Sequence, residues 1–368
     1  MIKILFFIET LEGGGAEKVL RNLVNNMDQT RFDITVQTVW PCEAKKYLTP
    51  GVHYKSMYSS HSRANHLRYR FEAETGLAYP LHIKDDYDIE CAYLECGATK
   101  IMAGSTNKKA KKLAWVHCDL AKAMGAEFAE KTKKVYAKFD KVICVSESVK
   151  DSFVDLFGDT VYVKVLYNTV DDGEIRAKAQ LPLPDGAEKR GLTVLAAGTM
   201  YGPKNFIRLL KTHKQLLNEG IEHDLWILGD GPDRAILQKY TEDNGLSRTV
   251  YMPGFQTNPY PYIRCADVTV CSSDYEGFST FITECMIVGK PVVTTDCSGM
   301  REILGDSEYG LITGNDDKSF LDGMRSMLTD ISLREEYSIK AAQRGECFSA
   351  RNLAAETQSF LSEVYYES

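Results

Sequence analysis

The feature that most constrains this chain is an alternation of short apolar runs with amphipathic helical stretches. Ile2–Ile8 is a nearly continuous apolar run, the pattern of a strand covered on both faces. After Gly13-Gly14-Gly15, the residues Ala16, Val19, Leu20, Leu23, Val24 and Met27 recur at helical spacing. Residues 32–39, 89–94, 112–116 and 141–145 are further strand candidates with helical patterns behind them. Such βαβ rhythm predicts a parallel, doubly wound sheet. The rhythm breaks over 168–190, where Asp171-Asp172-Gly173, Leu181-Pro182-Leu183-Pro184 and Asp185-Gly186 read as an interdomain connection. It restarts with strands at Thr193–Ala197, Asp224–Leu228, Val268–Cys271 and 291–294, and a helix over 205–218. The expectation is two similar Rossmann-like α/β domains, 1–170 and 171–350, with 351–368 able to return to the first. Domains so paired usually hold a ligand in the cleft between them, beyond the carboxyl ends of strands. A length of 368 residues fits two cores better than one.

An apolar fraction of 44% with 26% charged residues excludes collagenous, disordered and membrane-spanning chains. The net charge of -7 argues against general nucleic-acid binding. Residues 100–150 nevertheless hold twelve lysines against five acids, one basic patch on an acidic body. The ten cysteines contain no C-x-x-C pair, and His117-Cys118 has nothing nearby to complete a zinc set. They read as small core residues of a reducing compartment. The apolar run near the start is too short for a signal core, so the expected location is cytoplasmic, with peripheral contact to the inner face of a membrane.

Three glycine-bearing turns follow strand candidates. Gly13-Gly14-Gly15-Ala16-Glu17 opens a helix, where backbone N–H groups can approach an anion. Lys18 stands where a G-x-G-x-x-G motif needs its last glycine, which disfavours a nicotinamide dinucleotide. Gly229-Asp230-Gly231-Pro232 reads first as turn chemistry, with Pro232 suited to a first helical position. In the run from Gly198 to Asn205, Lys204 lies near a helix start, against the helix dipole, a placement that an anionic partner would explain.

The most informative stretch runs from Ser272 to Glu284. Glu276 falls in a strand-to-helix loop and Glu284 in the second helical turn, so both carboxylates can face one extended ligand lying across the helix start. The backbone N–H groups of Gly277, Phe278, Ser279 and Thr280 are available there for phosphates.

This E-x7-E segment resembles the signature of the retaining, GT-B-fold glycosyltransferases of family 4. The resemblance continues in order along the chain, through Gly14-Gly15-Ala16-Glu17, Trp115-Val116-His117, Val145-Ser146-Glu147-Ser148 and Asn168-Thr169-Val170-Asp171. It runs on through Gly229-Asp230-Gly231-Pro232, Pro253-Gly254-Phe255, Gly289-Lys290-Pro291-Val292-Val293 and Ser298-Gly299-Met300-Arg301-Glu302-Ile303. It implies that Glu284 bonds the ribose of a nucleotide-sugar, that Glu276 sits near the transferred sugar, and that Phe278, Ser279 and Thr280 meet sugar and diphosphate. It further implies that Phe255 borders the base, that Gly198 and Lys204 belong to the donor site, that Gly14 and Gly15 approach the phosphates, and that His117 reaches the sugar from the opposite domain. One departure stands out: the family usually has arginine where this chain has Thr199, beside the lysine matching Lys204.

The implied activity is a hexosyl transfer from a nucleotide-diphosphate sugar, a UDP-sugar by expectation, to a glycan or lipid-linked acceptor in surface polysaccharide or glycolipid synthesis. No metal or cofactor is expected. Asp86-Tyr87-Asp88 spells D-x-D but precedes a strand candidate, and reads as a solvated turn. Two alternatives stay open: a nucleotide-sugar-binding pseudo-enzyme or accessory subunit, which Thr199 favours, and an epimerase of the same fold. Within the basic patch, Ala121, Met124, Phe128, Val135 and Phe139 share about 60° of a helical wheel, with Lys131, Lys134 and Lys138 flanking the stripe and Lys122 and Lys133 opposite. That pattern suits either an anionic membrane surface or ordinary packing on the sheet.

Overall fold

The computed structural model describes residues 1–12, 14–158 and 161–367; Gly13, first of the glycine run, lies outside them. Its contacts separate into two units, Met1–Thr169 with Ala350–Ser368, and Val170–Ser349.

Unit 1 is built on seven strands: β1 (Ile2–Ile8), β2 (Phe32–Thr38), β3 (Val52–Ser56), β4 (Ile89–Ala92), β5 (Lys111–Val116), β6 (Lys141–Cys144) and β7 (Tyr162–Val165). They pair in parallel in the order β3-β2-β1-β4-β5-β6-β7. Near-central β1 is fully buried from Ile4 to Ile8, which is why its sequence is apolar on both faces. Edge strand β3 alternates buried Val52 with exposed His53 and Lys55, and so leaves no apolar run to read. The strand order reverses at β1, so the loops after β1 and β4 meet at a topological switch point. A Cβ on Gly97 would lie 1.8 Å from Glu9 Oε1, a direct measure of how closely those loops approach. The final helix, Ala350–Tyr366, packs its apolar face into this unit with Leu353, Phe360, Leu361 and Val364 buried. Gln358 Oε1 accepts the Asp28 N–H at 2.7 Å.

Unit 2 has six strands: β8 (Thr193–Ala197), β9 (Asp224–Leu228), β10 (Val250–Gly254), β11 (Val268–Cys271), β12 (Val292–Thr295) and β13 (Leu311–Thr313). Their order is β10-β9-β8-β11-β12-β13, again all parallel, with the reversal at β8. Val194, Ala196, Leu225, Ile227, Val268, Val270 and Val293 form the sheet's share of the core, and Leu209, Leu210, Phe320 and Met324 cover it from the helices Phe206–Asn218 and Asp317–Thr329. Removing one such side chain by truncation to alanine costs about 2–5 kcal/mol. The expectation of two Rossmann-like, doubly wound domains is therefore met.

Two expectations need correction. The stretch 168–190 is not all connection: Asp172–Ala179 is a helix, because the Asp171 side chain accepts the Glu174 N–H at 2.8 Å and caps it. The Asp-Gly sequence signal was a helix start. The apolar stripe over 121–139 does not exist as one face. The helix Leu120–Tyr136 breaks at Gly125, whose φ is 76°, and Phe139 lies beyond its end. Ala121 and Met124 are exposed, the latter by 42%, while Ala129 and Tyr136 face the core. Lys131, Lys133, Lys134 and Lys138 are exposed. Among the described residues no helix is long and apolar enough to cross a membrane.

Candidate functional site

The carboxyl edge of the unit 2 sheet gathers most of the residues singled out from sequence. β8 and β11 pair only at Val194–Val268 and Leu195–Thr269, so the strands part before their ends. The loops that follow them carry Lys204 and Glu276. Lys204 Nζ donates to Glu276 Oε1 at 2.6 Å, with both side chains largely buried. Glu276 Oε1 also accepts Ser273 Oγ at 2.7 Å and lies 3.6 Å from Cys271 Sγ. Burial alone would lower the pKa of Lys204, but the negative charge of Glu276 more than reverses that, and the ammonium is held above the ordinary lysine range. Lys204 runs across Gly198: its Cε stands 3.5 Å from where a Cβ on Gly198 would be.

Glycine is required where these loops touch. At Gly229, with φ at 126°, a Cβ would sit 1.9 Å from the Gly198 carbonyl oxygen. At Gly299, with φ at 79°, it would sit 2.3 Å from the Gly277 carbonyl oxygen. The turn first read at Gly229–Gly231 is thus a wall of the same edge.

Behind Glu276 the chain passes Gly277 and Phe278 into the helix Thr280–Val288, capped by Ser279, whose hydroxyl accepts the Ile282 N–H. Glu284 is buried in its second turn, and the Tyr260 hydroxyl donates to its Oε1 at 3.5 Å. Burial and then the Glu284 charge push the Tyr260 phenol up, so it stays a donor. Phe278 is buried with its ring 6.2 Å from that of Phe348. Phe255 follows edge strand β10, two strands from β8, and is 62% exposed. Thr199 is exposed.

In unit 1, Gly14 is the N-cap of the helix Gly15–Asn26. A Cβ there would lie 2.0 Å from Glu17 Oε2, so glycine lets the Glu17 carboxylate fold back over the helix start. Burial raises the pKa of Glu17. Trp115 and Val116 end β5, and His117 follows. Its Nε2 is buried without a partner, while the ring hydrogen-bonds the Tyr93 backbone. Burial lowers its pKa to about 4, so at neutral pH the ring is uncharged and Nε2 carries an acceptor lone pair. Glu95 fixes this loop: its Oε1 accepts the N–H of His117 and, at 3.0 Å, that of Cys118. Gly14 and His117 follow strands separated by β4.

Sequence reasoning missed Ser273, Tyr260 and Glu95. Ser273 lies inside the decisive segment and Glu95 directly follows a strand candidate, so position was a signal for both. Tyr260, distant in sequence from Glu284, had none. The D-x-D turn has a structural use: Asp88 Oδ2 accepts the Lys3 N–H at 2.8 Å, at the start of β1. Among the described residues no group of three or more His, Cys, Asp or Glu is placed to hold a metal ion.

Two doubly wound sheets of this topology define the GT-B fold. Sequence comparison agrees: the glycosyltransferase family 4 pattern matches residues 13–174, and that of glycosyl transferases group 1 matches 183–344. The chain belongs to the GT-B glycosyltransferases. A Campylobacter jejuni relative, N-acetylgalactosamine-N,N'-diacetylbacillosaminyl-diphospho-undecaprenol 4-alpha-N-acetylgalactosaminyltransferase, is 31% identical over 62% of this chain and 61% of its own length. The lipopolysaccharide core biosynthesis glycosyltransferase LpsE of Rhizobium meliloti is 30% identical over 56% of this chain and 58% of its own. The matches thus span about three fifths of these curated relatives. Anabaena HepE, crystallised with UDP and glucose, superposes with a TM-score of 0.77 at 17% identity, covering 99% of this chain and 100% of that one.

Proposed function

We propose that this protein is a retaining hexosyltransferase that moves a sugar from a UDP-sugar to a glycan or lipid-linked acceptor in surface polysaccharide or glycolipid synthesis. The observation that carries the reading is the Lys204–Glu276 pair beside the start of the helix Thr280–Val288, with Glu284 buried one turn further on. The kind of acceptor is suggested by the diphospho-undecaprenol glycan in the Campylobacter relative's name, and UDP by the HepE complex.

In this reading the sugar C1–O bond to the diphosphate breaks through an oxocarbenium-like transition state. Negative charge grows on the leaving diphosphate, and two sources of positive charge meet it: the Lys204 ammonium, and the amides of Gly277, Phe278, Ser279 and Thr280 at the helix start. The reaction is proposed to need no resident metal because these groups supply the charge. Glu276 sits near the sugar, where its carboxylate favours the cationic transition state, and Glu284 accepts from ribose hydroxyls. Phe255 borders the base. Gly198 leaves room for Lys204 to cross. In unit 1, Gly14 and Gly15 approach phosphate, which requires the Glu17 carboxylate to swing away, and His117 accepts a sugar hydroxyl through its bare Nε2.

A second reading, a nucleotide-sugar-binding accessory subunit, is favoured by one observation: Thr199 leaves Lys204 alone, and Glu276 already neutralises it. The test is a panel of UDP-, GDP- and ADP-sugars, scored by thermal stabilisation and by transfer to a polyprenyl-diphosphate glycan. Stabilisation by a UDP-sugar with transfer supports the enzyme. Stabilisation without hydrolysis or transfer supports the accessory subunit.

A further inference from the structure

Lys204 and Glu276 lie 72 residues apart in sequence, on loops that leave the sheet where the ladder between β8 and β11 has already stopped. Something other than strand pairing must hold their 2.6 Å contact. Their neighbours show what does. Asp274 N–H donates to the Pro203 carbonyl at 2.8 Å, and Ser272 Oγ to the Lys204 carbonyl at 2.9 Å. Asn205, in the left-handed region with φ at 45°, caps the helix Phe206–Asn218 and donates from Nδ2 to Asp274 Oδ1 at 3.0 Å.

At the centre of these bonds is Arg208, a charged residue only 8% exposed. Its Nη1 donates to the Ser272 carbonyl at 3.3 Å and to Asn315 Oδ1 at 2.7 Å. Nη2 pairs with Asp274 Oδ1 at 3.2 Å, and Nε donates to Asp317 Oδ1 at 2.9 Å. Asn315 Nδ2 returns a bond to the Asp274 carbonyl at 3.0 Å. One planar fork therefore ties the helix after Lys204, the segment before Glu276 and the loop after β13.

We propose that Arg208 is a positioning residue for transfer: it touches neither Lys204 Nζ nor the Glu276 carboxylate, and it sets the distance between them. The role demands arginine, because a lysine ammonium cannot reach all four partners in one plane. It also differs from a plain structural ion pair. The two carboxylates that neutralise Arg208 are 46% and 70% exposed, so water can solvate them when the cation is gone. The chain should then keep its fold and lose the alignment. A misplacement of about 1 Å at a reacting group can cost about 100-fold in rate.

The inference rests on the proposed reading of this edge as the UDP-sugar site, and the experiment separates the two. In the full-length protein, Arg208→Met, Arg208→Lys and Asn315→Ala are compared with wild type. Three quantities are read: UDP affinity by calorimetry, kcat and KM for UDP-sugar turnover, and the trace acetylation rate of Lys204 at pH 8 relative to exposed lysines. The last needs no substrate. Expected for Arg208→Met is kcat lower by at least about tenfold with KM and UDP affinity within about threefold, and faster acetylation of Lys204 as its counter-ion drifts. Arg208→Lys should fall between the two. Asn315→Ala, which removes bonds from an exposed loop, should move the same way by about threefold, and decides the matter if Arg208→Met does not fold. Folded variants with wild-type kcat and wild-type Lys204 acetylation would overturn the proposal, as would losses that match the unfolded fraction alone. If wild type binds no UDP and turns over no UDP-sugar, the functional reading fails, and Lys204 acetylation still decides the positioning role.

Discussion

At the carboxyl edge of the unit 2 sheet a lysine and a glutamate meet at 2.6 Å, both largely buried. At the corresponding edge of unit 1 stands a histidine that burial keeps neutral, its Nε2 bare and its backbone pinned by Glu95. One edge holds a paired lysine and glutamate beside the start of the helix Thr280–Val288. The other carries a neutral imidazole on a residue whose backbone N–H is held by the Glu95 side chain. The same fold thus carries a charged pair at one edge and a neutral imidazole at the other, and the difference comes from which residues follow which strand.

Breaking the charged edge should have the largest effect. Glu276→Gln keeps the shape and removes the charge; turnover should fall about 100-fold with UDP affinity changed by no more than about threefold. The opposite pattern, intact turnover with lost binding, would move Glu276 to a purely binding role. Glu284→Ala should weaken UDP by about 1.5–3 kcal/mol in calorimetry, the worth of a hydrogen bond to a charged group. Unchanged affinity would remove Glu284 from the ribose site.

Acid sharpens the comparison of histidines. Unit 2 also buries a pair, His213 and His223, joined at 2.8 Å, with His213 bonded to Thr249. Burial lowers both, His213 to about 3. Because the folded values lie below the unfolded one, the fold is destabilised as pH drops below about 6.5 and continues to lose stability toward pH 3. Each imidazole kept neutral costs up to about 1.4 kcal/mol per pH unit there. His213→Gln should flatten the melting temperature between pH 7 and 5 and leave turnover at neutral pH intact. His117→Gln should lower turnover at neutral pH if Nε2 accepts a sugar hydroxyl as proposed, and intact turnover would remove it from that role.

The basic patch of unit 1 is probed by membrane binding, apart from turnover. Wild type should sediment with anionic vesicles at low salt, and a Lys131/Lys133/Lys134/Lys138→Ser variant less so, at about 1 kcal/mol per lysine. Wild type that ignores such vesicles would end the membrane claim. Smallest is Thr199→Arg, expected to tighten UDP about threefold at low salt and less at high salt. No gain would mean that the amides and Lys204 already suffice.

The doubly wound fold was legible because buried strands such as β1, β8 and β11 are apolar on both faces. The strands that sequence missed are marginal. β3 and β7 are exposed edge strands, β13 has three residues, and β10 is an edge whose register shifts between Tyr251 and Gly254. The helix Asp172–Ala179 hid behind an Asp-Gly signal that proved to be a cap. Position along the chain pointed to Lys204 by itself and to Glu276 and Glu284 as a pair. The network that holds their loops was not readable, since Arg208 reaches Asn315 across 107 residues and Asp317 across 109, and only the fold brings them together.

Hydrogen exchange with UDP tests the central claim most directly, because it locates the ligand without knowing the sugar or the acceptor. The account predicts slowed exchange over 277–284 and 198–205 at saturating UDP, and loss of that protection in Glu284→Ala at the same concentration. UDP that binds with no slowing in either segment, or that protects unit 1 alone, would contradict it.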